Sequence, residues 1–263
     1  MYFLLINLSL VNVLSISITT PKMLQNLGTH RKSIPFYGCI TQVYLFLWTL
    51  ATELLILTFM AFDRYAAICH PLHYTLIMRK EMYIGITVSI WFVGLANSTL
   101  HVGLLLQLSF CNSSIINSFF CDYPALLKSS CSDSSLNETL CHVSAVIFGV
   151  CTCGLTLTSY LFILRAIFRI RSAEGKKKAF STCSSHLTIV SFYFSSAIYN
   201  YMRAGTTSSS VEKDKLVSLI YSVVTPVVNP IIYSLRNKDV KEALRSLTRR
   251  DPLPETLKTQ SLH

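Results

Sequence analysis

Residues 39–74 read CITQVYLFLWTLATELLILTFMAFDRYAAICHPLHY. From Cys39 to Phe62 the only charged side chain is Glu53, and the run ends on Asp63 and Arg64. A bilayer core of about 30 Å asks for roughly 20 mainly apolar helical residues, and these 24 supply them. An ionisable residue inside such a span costs at least ~2.5 kcal/mol on insertion scales, so it must face a partner or a cavity. Asp63 and Arg64 follow Glu53 by ten and eleven residues, about 15 Å along a helix, which puts them at a membrane edge. Neighbours on a helix point about 100° apart. The two therefore meet only at their tips, or each pairs with another helix. An ion pair at such an edge can change partners at modest cost, which suits a latch better than a strut.

The rest of the chain repeats the pattern. Of its 263 residues 51% are hydrophobic and only 14% charged, with a mean hydropathy of +0.47; a soluble domain carries about a quarter charged residues. Six segments are long and apolar enough to span: about 1–20, 39–62, 82–106, 142–168, 180–202 and 216–235. The first lacks the basic start and small-residue cleavage site of a signal peptide and is spotted with Asn7 and Asn12, so it reads as a membrane helix without a leader.

Basic residues orient the spans. The loops at 63–81 and 165–179 and the tail 236–263 hold 16 of the 23 Lys and Arg, so both termini are expected in the cytoplasm. The +10 net charge is then explained by topology and by anionic lipid headgroups, and nucleic acid is not needed, even for Lys176, Lys177 and Lys178.

No internal repeat or linker divides the chain, so residues 1–263 read as one domain. Its longest loop, 107–141, carries Cys111, Cys121 and Cys131 on the side where Cys39 tops the second span. Four cysteines facing an oxidising compartment favour disulfides, with three possible connectivities; their spacing does not match a zinc site. Cys69, Cys141, Cys151, Cys153 and Cys183 lie in or near spans and read as small packing residues. Asn112 and Asn137 head exposed glycosylation sequons on the same loop, whereas the sequons at Asn7 and Asn97 fall inside spans and read as accidental. In the tail, Val240, Ala243, Leu244 and Leu247 share one helical face flanked by basic residues, the pattern of a short helix in the headgroup plane.

Pro226 and Pro230 interrupt SVVTPVVNPIIY, each removing a backbone hydrogen bond from the last span. Asn229 can bond the freed groups, and Tyr233 reaches the same end as Arg64. Loosened backbone beside a charged latch describes a hinge. No HExxH, GxSxG, P-loop or dinucleotide motif is present, so an enzyme is not expected. His70 and His73 flank Pro71 without a third ligand, so neither a metal nor a cofactor is expected.

MAFDRYAAICHPLHY, SYLFILRAIFRI, KAFSTCSSHLTIV and PVVNPIIYSLRNKDVKEAL, with the triple-cysteine loop, follow one another in the order seen in olfactory receptors. The chain resembles that branch of the rhodopsin-like G-protein-coupled receptors nearly end to end. The resemblance implies an all-α integral membrane protein, a rhodopsin-like seven-helix bundle of which six helices fall in this chain, with a short C-terminal interfacial helix. It implies disulfides Cys39–Cys121 and Cys111–Cys131. At rest Asp63 would hold Arg64, next to Tyr65. On activation Arg64 would be freed, Tyr160 and Tyr233 would regroup, and the 180–202 helix, which carries His186, would swing out. Asn229 and Pro230 complete that switch. The partners implied are a small volatile odorant and a heterotrimeric G protein of the olfactory stimulatory type, acting through adenylyl cyclase at the plasma membrane. An outer-half pocket would draw on Phe46, Leu47 and Leu50, on Ser144, Ala145 and Phe148, on Ala197 and Tyr201, and on Ser222; apolar walls with a few hydroxyls suit such a ligand.

Three departures from the family pattern stand out. MYFLLINLSL resembles the family's second helix, so the first is expected to be missing, which gives a second reading: a shortened, non-signalling product retained in the endoplasmic reticulum. Asn12 stands where the family usually has Asp, weakening a sodium site shared with Glu53. Tyr193-Phe194 replaces a usual Phe-Tyr followed by Gly. A six-span transporter using Glu53 and Asp63 would be a third reading, but the internal repeat common in transporters is missing.

Overall fold

Runs this long and this apolar become helices because lipid offers no water to satisfy an open backbone. The computed structural model describes residues 2–29, 33–110, 116, 118–169, 172–202, 216 and 219–227. The helices are α1 (Tyr2–Gly28), α2 (Phe36–Cys69), α3 (Tyr74–Ile77), α4 (Lys80–Leu105), α5 (Tyr123–Leu127), α6 (Ser135–Ser144), α7 (Thr152–Arg169) and α8 (Ala173–Met202). A π-helical stretch, Ala145–Cys151, runs α6 into α7, and another covers Ile220–Val224. Among the described residues there is no strand, only an isolated Phe110–Ser130 bridge. Phe3–Gly28, Phe36–Cys69, Lys80–Leu105 and Ser135–Arg169 are long and apolar enough to cross a membrane. The protein is an all-α integral membrane protein. The proposed interfacial helix of the tail lies outside the described residues.

α2 is the central helix. In its most apolar window 72% of residues are buried, against at most 33% in the other three spanning helices, and it packs on α1, α4 and α7. It also starts before and runs past the apolar run 39–62, because Asp63 and Arg64 are buried and continue the helix rather than ending it. The outer helices turn Leu10, Phe92, Leu155 and Leu161 outward, each at least half exposed. Apolar exposure on that scale, on helices of this length, is a lipid-facing surface.

Close packing of α2 on α4 depends on Gly94. A Cβ there would lie 2.5 Å from Thr52 Oγ1 and 3.1 Å from the Trp48 carbonyl oxygen. Thr52 cannot easily give way, since its hydroxyl donates to that same carbonyl at 2.8 Å. Small residues of this kind let membrane helices approach. Trp48 Nε1 donates to the Trp91 carbonyl at 3.0 Å, and the two indoles meet edge to face. Gly94→Ala is expected to destabilise by about 1–3 kcal/mol, the range for overpacking, read as a lower melting temperature of the purified protein in detergent. An unchanged melting temperature would mean that the two helices separate freely.

At the opposite end from Arg64, the Cys39–Cys121 disulfide ties the long loop to α2. Gln42, one turn beyond Cys39 on α2, makes a second tie. Its Oε1 accepts from the Cys121 backbone N–H at 2.9 Å and its Nε2 donates to the Ile18 carbonyl at 2.8 Å. One amide thereby joins α1, α2 and the loop. Cys131 is itself disulfide-bonded, and Cys111, its implied partner, lies outside the described residues.

Candidate functional site

Beneath the tied loop α2, α4, the π-helical stretch and α8 line a narrow, partly open cavity of about 40 Å³. Leu47 and Leu50 come from α2, Ser144, Ala145 and Phe148 from the α6–α7 helix, and Ala197 and Tyr201 from α8. The π-helical stretch holds both Ala145 and Phe148. Such insertions reset the faces a helix presents and recur at functional sites. α8 comes close here: a Cβ on Gly149 would meet Ile198 Cγ1 at 2.8 Å.

Two residues expected on the wall lie elsewhere. Phe46 is buried against Phe120 of the loop, edge to face at 5.2 Å between ring centres, and does not line the cavity. Ser222 is buried beside α1, where its carbonyl accepts from Thr19 Oγ1 at 3.5 Å and its own Oγ has no partner. In their places the wall gains Ala51, Leu54, Gly149, Ile198 and Asn97. Asn97 matters chemically, since its Oδ1 accepts from Ser144 Oγ at 3.1 Å, a polar spot in an apolar wall. A polar side chain within a span was the available signal, and reading it as an accidental sequon hid it.

The lid over the cavity is pinned by Asp122. Its Oδ1 caps α5 by accepting from the Tyr123 N–H at 2.9 Å. Asn200 Nδ2 donates to its Oδ2 at 3.0 Å and the Tyr201 hydroxyl to its Oδ1 at 3.2 Å. Tyr201 is therefore both cavity wall and latch between loop and α8. Next to it Tyr123 stacks edge-on against His101 at 5.1 Å. Burial pushes the Tyr123 hydroxyl up to about 12, so it stays a neutral partner for Asn137 Nδ2, 3.2 Å away. That contact corrects the reading of Asn137 as an exposed sequon. Its residue is only 3% exposed, and the nitrogen that would carry a glycan is turned inward on α6. Asn112 lies outside the described residues.

At the other end of α2 the charged residues go separate ways. Asp63 Oδ1 accepts from the Tyr74 hydroxyl at 2.8 Å and from the Tyr83 hydroxyl, and these hydroxyls lie 3.0 Å apart. Burial raises the Tyr74 hydroxyl above its ordinary value, which keeps it a donor to the carboxylate. Arg64 is 9% exposed and its Nε has no hydrogen-bond partner. Around it on α2, Ala61 and Tyr65 pack with Tyr160 of α7 and Cys183 of α8 in one buried cluster. The 100° between successive helical side chains explains the split: Asp63 looks toward α3 and α4, Arg64 toward α7 and α8. Tyr65 pairs with His70 Nε2 at 3.0 Å. Midway along α2, Glu53 is 1% exposed and is hydrogen-bonded by Tyr193 of α8. His186 lies on α8 with its side chain outside the description, and Asn229, Pro230 and Tyr233 lie outside the described residues.

The described bundle is thus a multi-helix membrane protein with a lidded cavity at one end and a buried cation at the other. The family model that matches residues 1–250 is described as olfactory receptor. Among curated relatives, olfactory receptor 2C1 of Mus musculus is 46% identical over 247 residues, covering 94% of this chain and 79% of the relative. Olfactory receptor 13A1 of Homo sapiens is 43% identical over 247 residues, covering 94% and 75%. Olfactory receptor 5F1 of Homo sapiens is 44% identical over 250 residues, covering 95% and 79%. The chain belongs to the olfactory receptor family. It is thus a multi-pass G-protein-coupled receptor for odorants, built on the seven-helix plan of that family, and not an enzyme.

Proposed function

We propose that the cavity under the Asp122 lid binds the odorant and that the Arg64 end engages a stimulatory G protein that raises cAMP through adenylyl cyclase. The carrying observation is α8. Near its end Tyr201 lines the cavity and holds the lid, and toward its start Cys183 packs in one buried cluster with Ala61 and Tyr65, which flank Arg64 on α2. One rigid helix thus touches both sites. A ligand that moves Tyr201 shifts α8, and α8 changes what surrounds Arg64. Coupling of this kind needs only a differential interaction with two arrangements of one element. The excess of basic residues at the Arg64 end supports a cytoplasmic C-terminus in the plasma membrane.

The ligand class follows from the wall. Leucine, alanine and phenylalanine surfaces bury a small apolar body, while Ser144 with Asn97 offers one polar anchor. Cells expressing the chain are expected to raise cAMP in response to members of a panel of small volatile compounds. Ser144→Ala should shift the half-maximal concentration for hydroxyl- or carbonyl-bearing members about 2- to 10-fold, the worth of one hydrogen bond, and leave hydrocarbon members unmoved. Surface labelling of intact cells, with a C-terminal epitope reached only after permeabilisation, checks delivery and orientation. A chain that reaches the surface and answers no compound would sink the proposal.

A further inference from the structure

A second concavity, of about 480 Å³, lies on the outside of the bundle, between α2, α4 and α7. Leu55, Phe59, Ile86, Ile90, Leu155 and Phe162 give it apolar walls, and the hydroxyls of Thr58 and Ser159 lie among them. The groove does not share a residue with the odorant cavity. On α2 it runs from Leu55 to Tyr65, about 15 Å of helix, which is half of the roughly 30 Å hydrocarbon core. It is therefore one leaflet deep and sits in the leaflet at the Arg64 end.

Its rim is basic. Arg165 lies one turn beyond Phe162 and its guanidinium sits over that wall ring, 5.9 Å from the centroid. Arg169 follows on the same helix, and Arg79 and Lys80 open α4 below Ile86; all four are exposed, with Glu81 the acidic residue beside them. Asp63 is turned away and satisfied by Tyr74 and Tyr83. A cleft that is apolar along one leaflet and cationic at its headgroup end complements one kind of molecule.

We propose that this groove holds an anionic phospholipid, one acyl chain lying along Leu55, Phe59 and Leu155 and the phosphate meeting Arg165. This rests on the membrane-spanning assignment and not on the odorant or G-protein roles. If the C-terminus is cytoplasmic, the leaflet concerned is the one rich in anionic lipid. A lipid seated there would brace α7 against α2 and α4 near the residues that flank Arg64.

The experiment places the full chain in nanodiscs of equal phosphatidylserine and phosphatidylcholine, releases it in mild detergent, and counts retained lipids by native mass spectrometry. Retention of phosphatidylserine over phosphatidylcholine is expected. Arg165→Gln should cut phosphatidylserine retention about fivefold, the equivalent of about 1 kcal/mol for one basic residue at a membrane surface. Ser159→Trp, which fills the groove from its lipid side, should reduce retention of both lipids. Equal retention of the two lipids by the native chain, or no response to Arg165→Gln, overturns the anionic site. Loss with Arg165→Gln but not with Ser159→Trp moves the lipid out of the groove and overturns it as well. No odorant or G protein enters the measurement, so a chain that fails to signal still gives its answer.

Discussion

Arg64→Ala is expected to lower odorant-driven cAMP by about 5- to 150-fold, the range of coupling free energies of about 1–3 kcal/mol, while surface labelling stays near that of the native chain. Signalling and folding separate here because of how Arg64 is held. Its Nε is buried without a hydrogen-bond partner, so truncation removes a desolvated charge rather than a satisfied network. Asp63 keeps its two tyrosine donors when Arg64 is gone. Replacing Asp63 is the contrasting case, because its loss strands the buried hydroxyls of Tyr74 and Tyr83 and should lower expression. Arg64→Lys discriminates further: a point charge cannot reproduce the flat, forked guanidinium, so it should keep native expression and recover little of the lost signalling. Full signalling by Arg64→Ala would remove this residue from the mechanism.

What the sequence made legible was periodic or local. Glu53, Asp63 and Arg64 stood out because a charge in an apolar run is expensive wherever the chain folds. Leu47, Leu50, Ser144, Ala145, Phe148, Ala197 and Tyr201 converge on one cavity, an arrangement that came from the resemblance, as did the Cys39–Cys121 bond. Partners were harder to read. Nothing in the spacing of Tyr74, at the start of α3, and Tyr83, in the first turn of α4, shows that both hydroxyls reach Asp63. Gln42 reads as one more polar residue in a span, yet it bonds two other parts of the chain. Asn137 matched a surface motif, but the turn of α6 puts it inside. Phe46 was displaced from the wall for a similar reason, since Phe120 offers it an aromatic face nearer to the lid. Sequence periodicity gives the face of a helix; it does not give the neighbour on that face.

Asp122→Ala is the second large effect, expected as at least a tenfold loss of odorant potency together with a lower melting temperature. One carboxylate caps α5 and accepts from Asn200 and Tyr201. Hydrogen bonds to a charged acceptor contribute about 1.5–3 kcal/mol each, and the residue is 4% exposed, so solvent does not replace what is lost. The substitution frees the lid from α8 and lets the Tyr201 ring leave the cavity wall. Asp122→Asn separates the two consequences. A carbonyl oxygen can still accept from Tyr201 or cap α5, but the charge is gone and the Asn200 amide loses its second oxygen. It should therefore retain more stability than potency. Tyr201→Phe completes a double-mutant cycle, because the ring stays in the wall and only the hydroxyl is removed. If the latch transmits occupancy of the cavity, Asp122→Asn and Tyr201→Phe should be non-additive in potency by about 0.5–3 kcal/mol, the range for residues in direct contact. If their effects simply add, Asp122 stabilises the loop, and ligand binding reaches α8 through the apolar contacts of Ala197 and Ile198 instead.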